Sequence, residues 1–162
     1  MWSKGEWRGG RWISGYWYDG TWYDGRWDFG SWFDGRWLGG IWQSGEWCNG
    51  DWYRGEWYNG VWYKGTWHGG TWSKGQWHTG TWKGGTGKGG AWYNGEWLGG
   101  EWYGGTWDKG TWHSGTWFGG VWYGGEWKGG TWKFGHILSK KTNNMVESKV
   151  SPAEFYANEA SS

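Results

Sequence analysis

From Met1 to Gly135 one five-position pattern is written 27 times without an insertion or deletion. With positions named a to e, a is mostly polar, b is Trp, c varies, d is a turn-former and e is Gly. Trp holds b from Trp2 to Trp132 with Gly87 as the exception, and Gly holds e from Gly5 to Gly135. A large apolar residue between two outward positions predicts a strand of about three residues, with Trp on one face and a and c on the other. Thr is commonest at a and Tyr at c, both good strand formers. The d-e pairs Asp19-Gly20, Asp34-Gly35, Asn59-Gly60 and Asn94-Gly95 read as two-residue hairpin turns, in which both residues take positive φ. The expected fold is therefore all-β: an elongated tandem repeat forming a narrow antiparallel meander, with the Trp residues in a cross-strand row. A bare Trp face aggregates, so the ribbon is expected to coil on itself or pair with another surface. The alternative is a β-solenoid with one pentad per side and Gly at each corner. Coils stack about 4.8 Å apart, and four indoles in each square layer would overfill the interior, which favours the meander.

A second period is visible within the first. Five of the six Glu at position a (Glu6, Glu46, Glu56, Glu96, Glu126) fall in even copies, and six of the eight Tyr at c fall in odd ones. This predicts a ten-residue unit of two unlike strands. The pentad Thr86-Gly87-Lys88-Gly89-Gly90 lacks its indole, which reads as a tolerated defect or as a hinge between two stiff halves.

The repeat domain spans 1–135 and a different segment spans 136–162. His136-Ile137-Leu138 closes the last strand with aliphatic side chains, and Ser139 to Asn144 reads as a polar linker. Ser151, Pro152 and Glu154 then form a complete helix start, with Ser151 as N-cap, Pro152 at N1 and Glu154 completing a capping box. Val150 and Phe155 have the spacing of a hydrophobic staple. A helix to about Ala160 is too short to stand alone, so it must dock. Val150, Pro152, Phe155 and Tyr156 are the candidate docking residues, against a partner protein or against the repeat itself, with a frayed tail as the remaining alternative.

Composition sharpens this picture. Aromatic residues make up 25% of the 162-residue chain while Leu and Ile number six, so any core is made of indole, with Trp7, Trp57, Trp97 and Trp127 as representative core residues. Burying one Trp contributes roughly 4–6 kcal/mol, and ordering five residues costs about 7 kcal/mol. A lone pentad cannot fold; a stacked series can. The formal net charge is +1, which gives no electrostatic basis for binding nucleic acid. No apolar run approaches a membrane span and no signal peptide is evident, which points to cytoplasmic synthesis. Cys48 is the single cysteine and has no His beside it.

Catalytic, cofactor and metal sites are not expected. His68, His78 and His113 share position c, and in a meander His68 and His78 stand two strands apart on one face, about 10 Å, too far to share a metal directly. The position-a Glu are spread along the length rather than paired as acid and base. Exposed aromatic rings leave one ligand class open: Tyr53, Tyr63, Tyr93 and Tyr123 could stack on sugar rings.

Tyr53-Arg54-Gly55-Glu56-Trp57-Tyr58-Asn59-Gly60 resembles the opening half of a MORN repeat, as do Tyr93 to Gly100 and Tyr123 to Gly130. The second-half His-Gly-x-Gly phrase of that family has no counterpart here. The resemblance implies rows of hairpins in an elongated scaffold that self-associates. The dense x-W-x-x-G text of 1–135 also resembles Trp/Gly-rich repeat proteins of tailed phages, which implies a structural part of a virion or its tail. The expected function is thus a non-enzymatic scaffold within a larger assembly, with other structural proteins or a second copy as partners. A carbohydrate-binding adhesion module is the alternative.

Overall fold

The computed structural model describes all residues from Met1 to Ser162. Each pentad from the second onward contributes one two-residue strand made of positions a and b, from β1 (Glu6–Trp7) at five-residue intervals to β26 (Thr131–Trp132). There follow β27 (Gly135–Leu138), β28 (Met145–Ser148) and α1 (Pro152–Ser161). Pairing joins each strand to the third strand on, in parallel and in register: Asp51 lies beside Thr66, and Trp52 beside Trp67. The chain is therefore a β-solenoid of about nine turns, three pentads and fifteen residues to the turn, with three parallel sheets as its faces. Face 1 runs β1-β4 to β25, face 2 runs β2-β5 to β26, and face 3 runs β3-β6 to β24 and on through β27 to β28.

This corrects the antiparallel meander, and the reason lies at position d. A type I′ turn needs positive φ at both d and e, but Asn143 is the one non-glycine residue with positive φ in the chain. Only e crosses over, as at Gly65 with φ +125°, and a single left-handed residue turns a corner rather than reversing the strand. The Asp-Gly pairs support that corner locally: the Asp19, Asp24 and Asp34 carboxylates accept the next glycine's N–H at 2.7 Å. Corners also stack on corners. A Cβ on Gly65 would stand 2.3 Å from the Gly50 carbonyl oxygen, so the site excludes every other residue by contact as well as by conformation.

The objection to a solenoid was the bulk of four indoles per layer. The turn holds three. Successive rings meet edge to face, as in Trp47–Trp52 (5.9 Å, 75°) and Trp52–Trp57 (5.9 Å, 77°). Rings one turn apart lie parallel, as in Trp52–Trp67 (4.8 Å, 5°). Both geometries are favoured by the aromatic quadrupole, and together they fill a triangular section. Every Trp from Trp17 to Trp132 is at most 9% exposed, with Trp57 and Trp97 at 0% and Trp127 at 9%. Trp7 packs against this core while partly exposed, as do Trp2 and Trp12. The ten-residue unit is likewise corrected: the fold sorts pentads by threes, so the position-a Glu fall on all three faces.

The cost of an all-indole core is its N–H groups. Twenty-three Trp Nε1 atoms are buried with no hydrogen-bond partner. Trp72 escapes because there is no ring at position 87, and its Nε1 donates to the Gly89 carbonyl at 3.1 Å. The backbone ladder runs straight through this pentad, with Lys88 N–H donating to Trp72 O and Tyr103 N–H to Gly87 O, both at 2.8 Å. Trp102 tilts 20° from Trp117 and brings its Cε3 within 3.0 Å of where a Gly87 Cβ would be. A cavity of only about 10 Å³ remains. The missing indole is thus absorbed by one neighbouring ring with the ladder intact, and the structure contains no break that would make a hinge.

At the C-terminal end Ile137 takes the Trp position beside Trp122 and is fully buried. β27 and β28 form an antiparallel hairpin in which Ile137 pairs with Val146, and Ser139 to Asn144, read as a linker, forms its tip. Trp132 Nε1 donates to Ser148 O at 3.0 Å. In α1, Ser151 caps by accepting from Glu154 N–H, which is one half of the expected capping box. Pro152 is buried and Phe155 and Tyr156 pack against the Trp core. The Tyr156 hydroxyl donates to Leu138 O at 3.1 Å, and Ser139 donates to Glu159.

Candidate interaction surface

Because b and e are consumed by the core and the corners, the outward chemistry of this protein is written at a, c and d. Three pentads per turn sort those positions into three unlike faces. Over its a and c positions face 1 carries eight charged residues, from Glu6 to Lys128, and face 2 carries seven, from Arg11 to Lys133. Face 3, from β3 to β24, carries two, Glu46 and Asp108. Between them its outward residues are Val61, Tyr63, Gln76, His78, Ala91 and Tyr93.

Ten of the fifteen charged residues of faces 1 and 2 are engaged locally. Arg11 and Arg26 stand side by side in the ladder, and Asp28 accepts from both. The Arg26 hydrogen bond, aided by Arg11, holds the Asp28 carboxyl below its ordinary range. Tyr58 donates to Glu56 and Tyr103 to Glu101, and these bonds raise both phenol pKa values.

Of the four Tyr singled out for sugar stacking, Tyr63, Tyr93 and Tyr123 lie on face 3 and Tyr53 lies on face 1. Three of them have one flat side taken. Tyr63 stacks on His78 at 5.1 Å and His78 on Tyr93 at 5.1 Å, while Tyr53 stacks on His68 at 4.4 Å. Rings piled along the solenoid axis present edges to solvent, whereas sugar stacking needs faces. Tyr123, beyond Asp108, has no ring against it.

The same sorting separates the histidines. His68 and His113 share face 1, three turns apart, and His78 is on face 3, so the expected shared face for His68 and His78 is corrected. No group of three His, Cys, Asp or Glu side chains converges to hold a metal ion. Cys48 sits on face 3, where burial and then Glu46 push its thiol pKa up, away from a nucleophilic thiolate. The broadest depression is an open corner groove running past Phe29, Ser44, Glu46, Asn59, Val61 and Gln76. Of the predicted docking residues, Pro152, Phe155 and Tyr156 are engaged within the chain, and Val150 is half-buried. No helix is long and apolar enough to cross a membrane.

The neutrality of face 3 is the feature that reading pentads by twos missed; reading every third pentad exposes it. No family model matches the sequence, and no curated protein matches it. Among solved structures, the polysialic acid O-acetyltransferase OatWY is similar at 6% identity over 97% of each chain, with a TM-score of 0.19. The polySia-specific acetyltransferase NeuO is similar at 5% identity over 96% of this chain and 94% of its own, with a TM-score of 0.21. Likenesses this slight carry no argument about activity.

Proposed function

We propose that this protein is a non-enzymatic structural element, a stiff β-solenoid rod that sets a distance and presents a surface within a larger assembly. The observation that carries this reading is the indole core: three columns of parallel rings, interrupted only at Gly87, locked to one another edge to face and bound at every turn by backbone hydrogen bonds. Such a core resists bending, because any tilt of one turn opens gaps in all three columns. Each turn rests only on its neighbours, so length is set by copy number. The hairpin and helix at the C-terminal end serve as its cap. A virion or phage tail is the assembly to which the repeat text points, and immunogold labelling of purified particles tests it: label fixed at one place on the particle supports the reading, and unlabelled particles with the protein free in solution overturn it.

The adhesion alternative is disfavoured by the stacking that covers one flat side each of Tyr53, Tyr63 and Tyr93. Tryptophan emission well to the blue, unchanged by added oligosaccharides, is the expected result. Quenching or a shift on adding a glycan would restore the adhesion reading.

A further inference from the structure

We infer that face 3 is a lateral contact surface for a second copy of this chain, packed face to face with the two solenoid axes antiparallel. This deepens the structural reading by naming a partner for the rod.

Three observations converge on it. First, face 3 is nearly free of charge where faces 1 and 2 carry eight and seven charged residues, and its exposed rings (Tyr16, Tyr18, Phe33, Tyr63, Tyr93, Tyr123) are each 38–52% accessible. Lone exposed aromatics are ordinary, but a face-long stripe interrupted by charge only at Glu46 and Asp108 has the composition of an interface centre. Second, all of these rings but Tyr123 already contact a neighbouring ring, as in Tyr18–Phe33 at 4.9 Å, so little side-chain freedom is lost on contact. Third, of the two corners that border face 3, the one that follows its strands is polarised along its length. Its d positions read Asp19, Asp34, Asn49, Lys64, Thr79, Asn94, Lys109 from the N-terminal end, acidic first and basic later.

That polarity selects the arrangement. A two-fold axis parallel to the strands and passing between the Tyr63 and His78 rows reverses the solenoid axis while keeping each corner over its own equivalent. Asp34 of one copy then lies over Lys109 of the other, twice by symmetry. Tyr63 meets His78, and Cys48 meets the Tyr93 row. Parallel axes would instead set the d corner against the opposite edge of the face and lose the Asp34–Lys109 match. Eight rows at about 4.8 Å and a width of roughly 10–15 Å give a footprint of roughly 400–600 Å² per copy. This is about half to three-quarters of the usual 800 Å², so the contact is weak alone and gains strength where an assembly holds many copies side by side.

Sedimentation equilibrium from 5 to 500 µM tests the proposal, with a reversible monomer–dimer equilibrium expected in the upper part of that range. Tyr63→Lys, an outward substitution, should weaken dimerisation about tenfold or more by burying an unpaired charge, with blue tryptophan emission showing that the rod stays folded. Lys109→Asp should weaken it, and the swap Asp34→Lys with Lys109→Asp should restore it. Register is read by cross-linking in a Cys48→Ser background. Asp34→Cys and Lys109→Cys lie five rows, about 24 Å, apart within one chain, so an oxidised disulfide between them can join only two copies. A chain that stays monomeric throughout, or a dimer indifferent to Tyr63→Lys, overturns the proposal. Neither outcome touches the stiffness of the rod or its place in a particle, which the labelling experiment reads separately.

Discussion

At the residue scale, one side chain, one repeated glycine and one missing ring govern the architecture. Trp is the only residue whose ring is broad enough to meet both its neighbour along the chain, edge to face, and its neighbour one turn away, face to face. Gly at e is demanded twice over. Gly65→Ala would force a Cβ to 2.3 Å from Gly50 O at φ +125°, so the backbone must open. The expected result is a loss of several kcal/mol, about 3 or more, visible as a lowered Tm. Gly87 is the reverse case. Its φ is ordinary, and the ring that encroaches on it, Trp102, can swing back into its own column. Gly87→Trp should therefore complete the interrupted column and raise stability by about 2–4 kcal/mol, less than the full burial value because the Trp72–Gly89 hydrogen bond is given up. An unchanged or lowered Tm would show that the tilted Trp102 packing is already as good as a stacked ring.

At the element scale, each two-residue strand is too short to pair by itself, and the neighbours it meets decide its worth. The Arg11–Arg26 rung puts like charges side by side, which is unfavourable in a ladder, and Asp28 offsets it. Because the folded pKa of Asp28 is depressed, its contribution is present above the ordinary carboxylate pKa near 3.8 and is lost as pH falls through the folded value. Thermal scans from pH 6 down to pH 2 should show a steeper acid loss of Tm for the native chain than for Asp28→Asn, which is less stable at neutral pH. The cap is the second such element. Removing the Ser151 hydroxyl by Ser151→Ala should cost about 1 kcal/mol. The loss should appear as faster amide exchange in α1 and the β27–β28 hairpin, with the interior of the solenoid unaffected.

At the scale of the whole molecule, the equivalence of pentads makes an unusual prediction. Deleting Thr66–Gly70 leaves every later Trp fifteen residues from another Trp, so the core re-forms; it also rotates all later positions by one face. Tryptophan emission and Tm should stay close to those of the parent, while the neutral stripe of face 3 is broken and self-association is lost. Deleting only Thr66–Gly69 puts corners where strands must be, and should unfold the turns around it.

The same equivalence explains which features could be read from the sequence. The five-residue period, the inward Trp, the outward a and c, the corner at d-e, the burial of Ile137 and the start of α1 at Ser151 all follow from local rules: alternation along a strand, the conformational freedom of glycine, and capping chemistry. None of these rules contains the number of sides. A period of five is compatible with a hairpin row, a square coil or a triangle, and the Asp-Gly and Asn-Gly pairs serve a corner as well as they serve a turn. What only the tertiary structure decided is that three indoles, packed edge to face, fill the cross-section. That choice depends on ring volume against ring volume across the axis, between residues fifteen apart that no local signal connects. From it follow the parallel pairing, the sorting of charges into two busy faces and one quiet one, the separation of His68 from His78, and the docking of α1 on its own end.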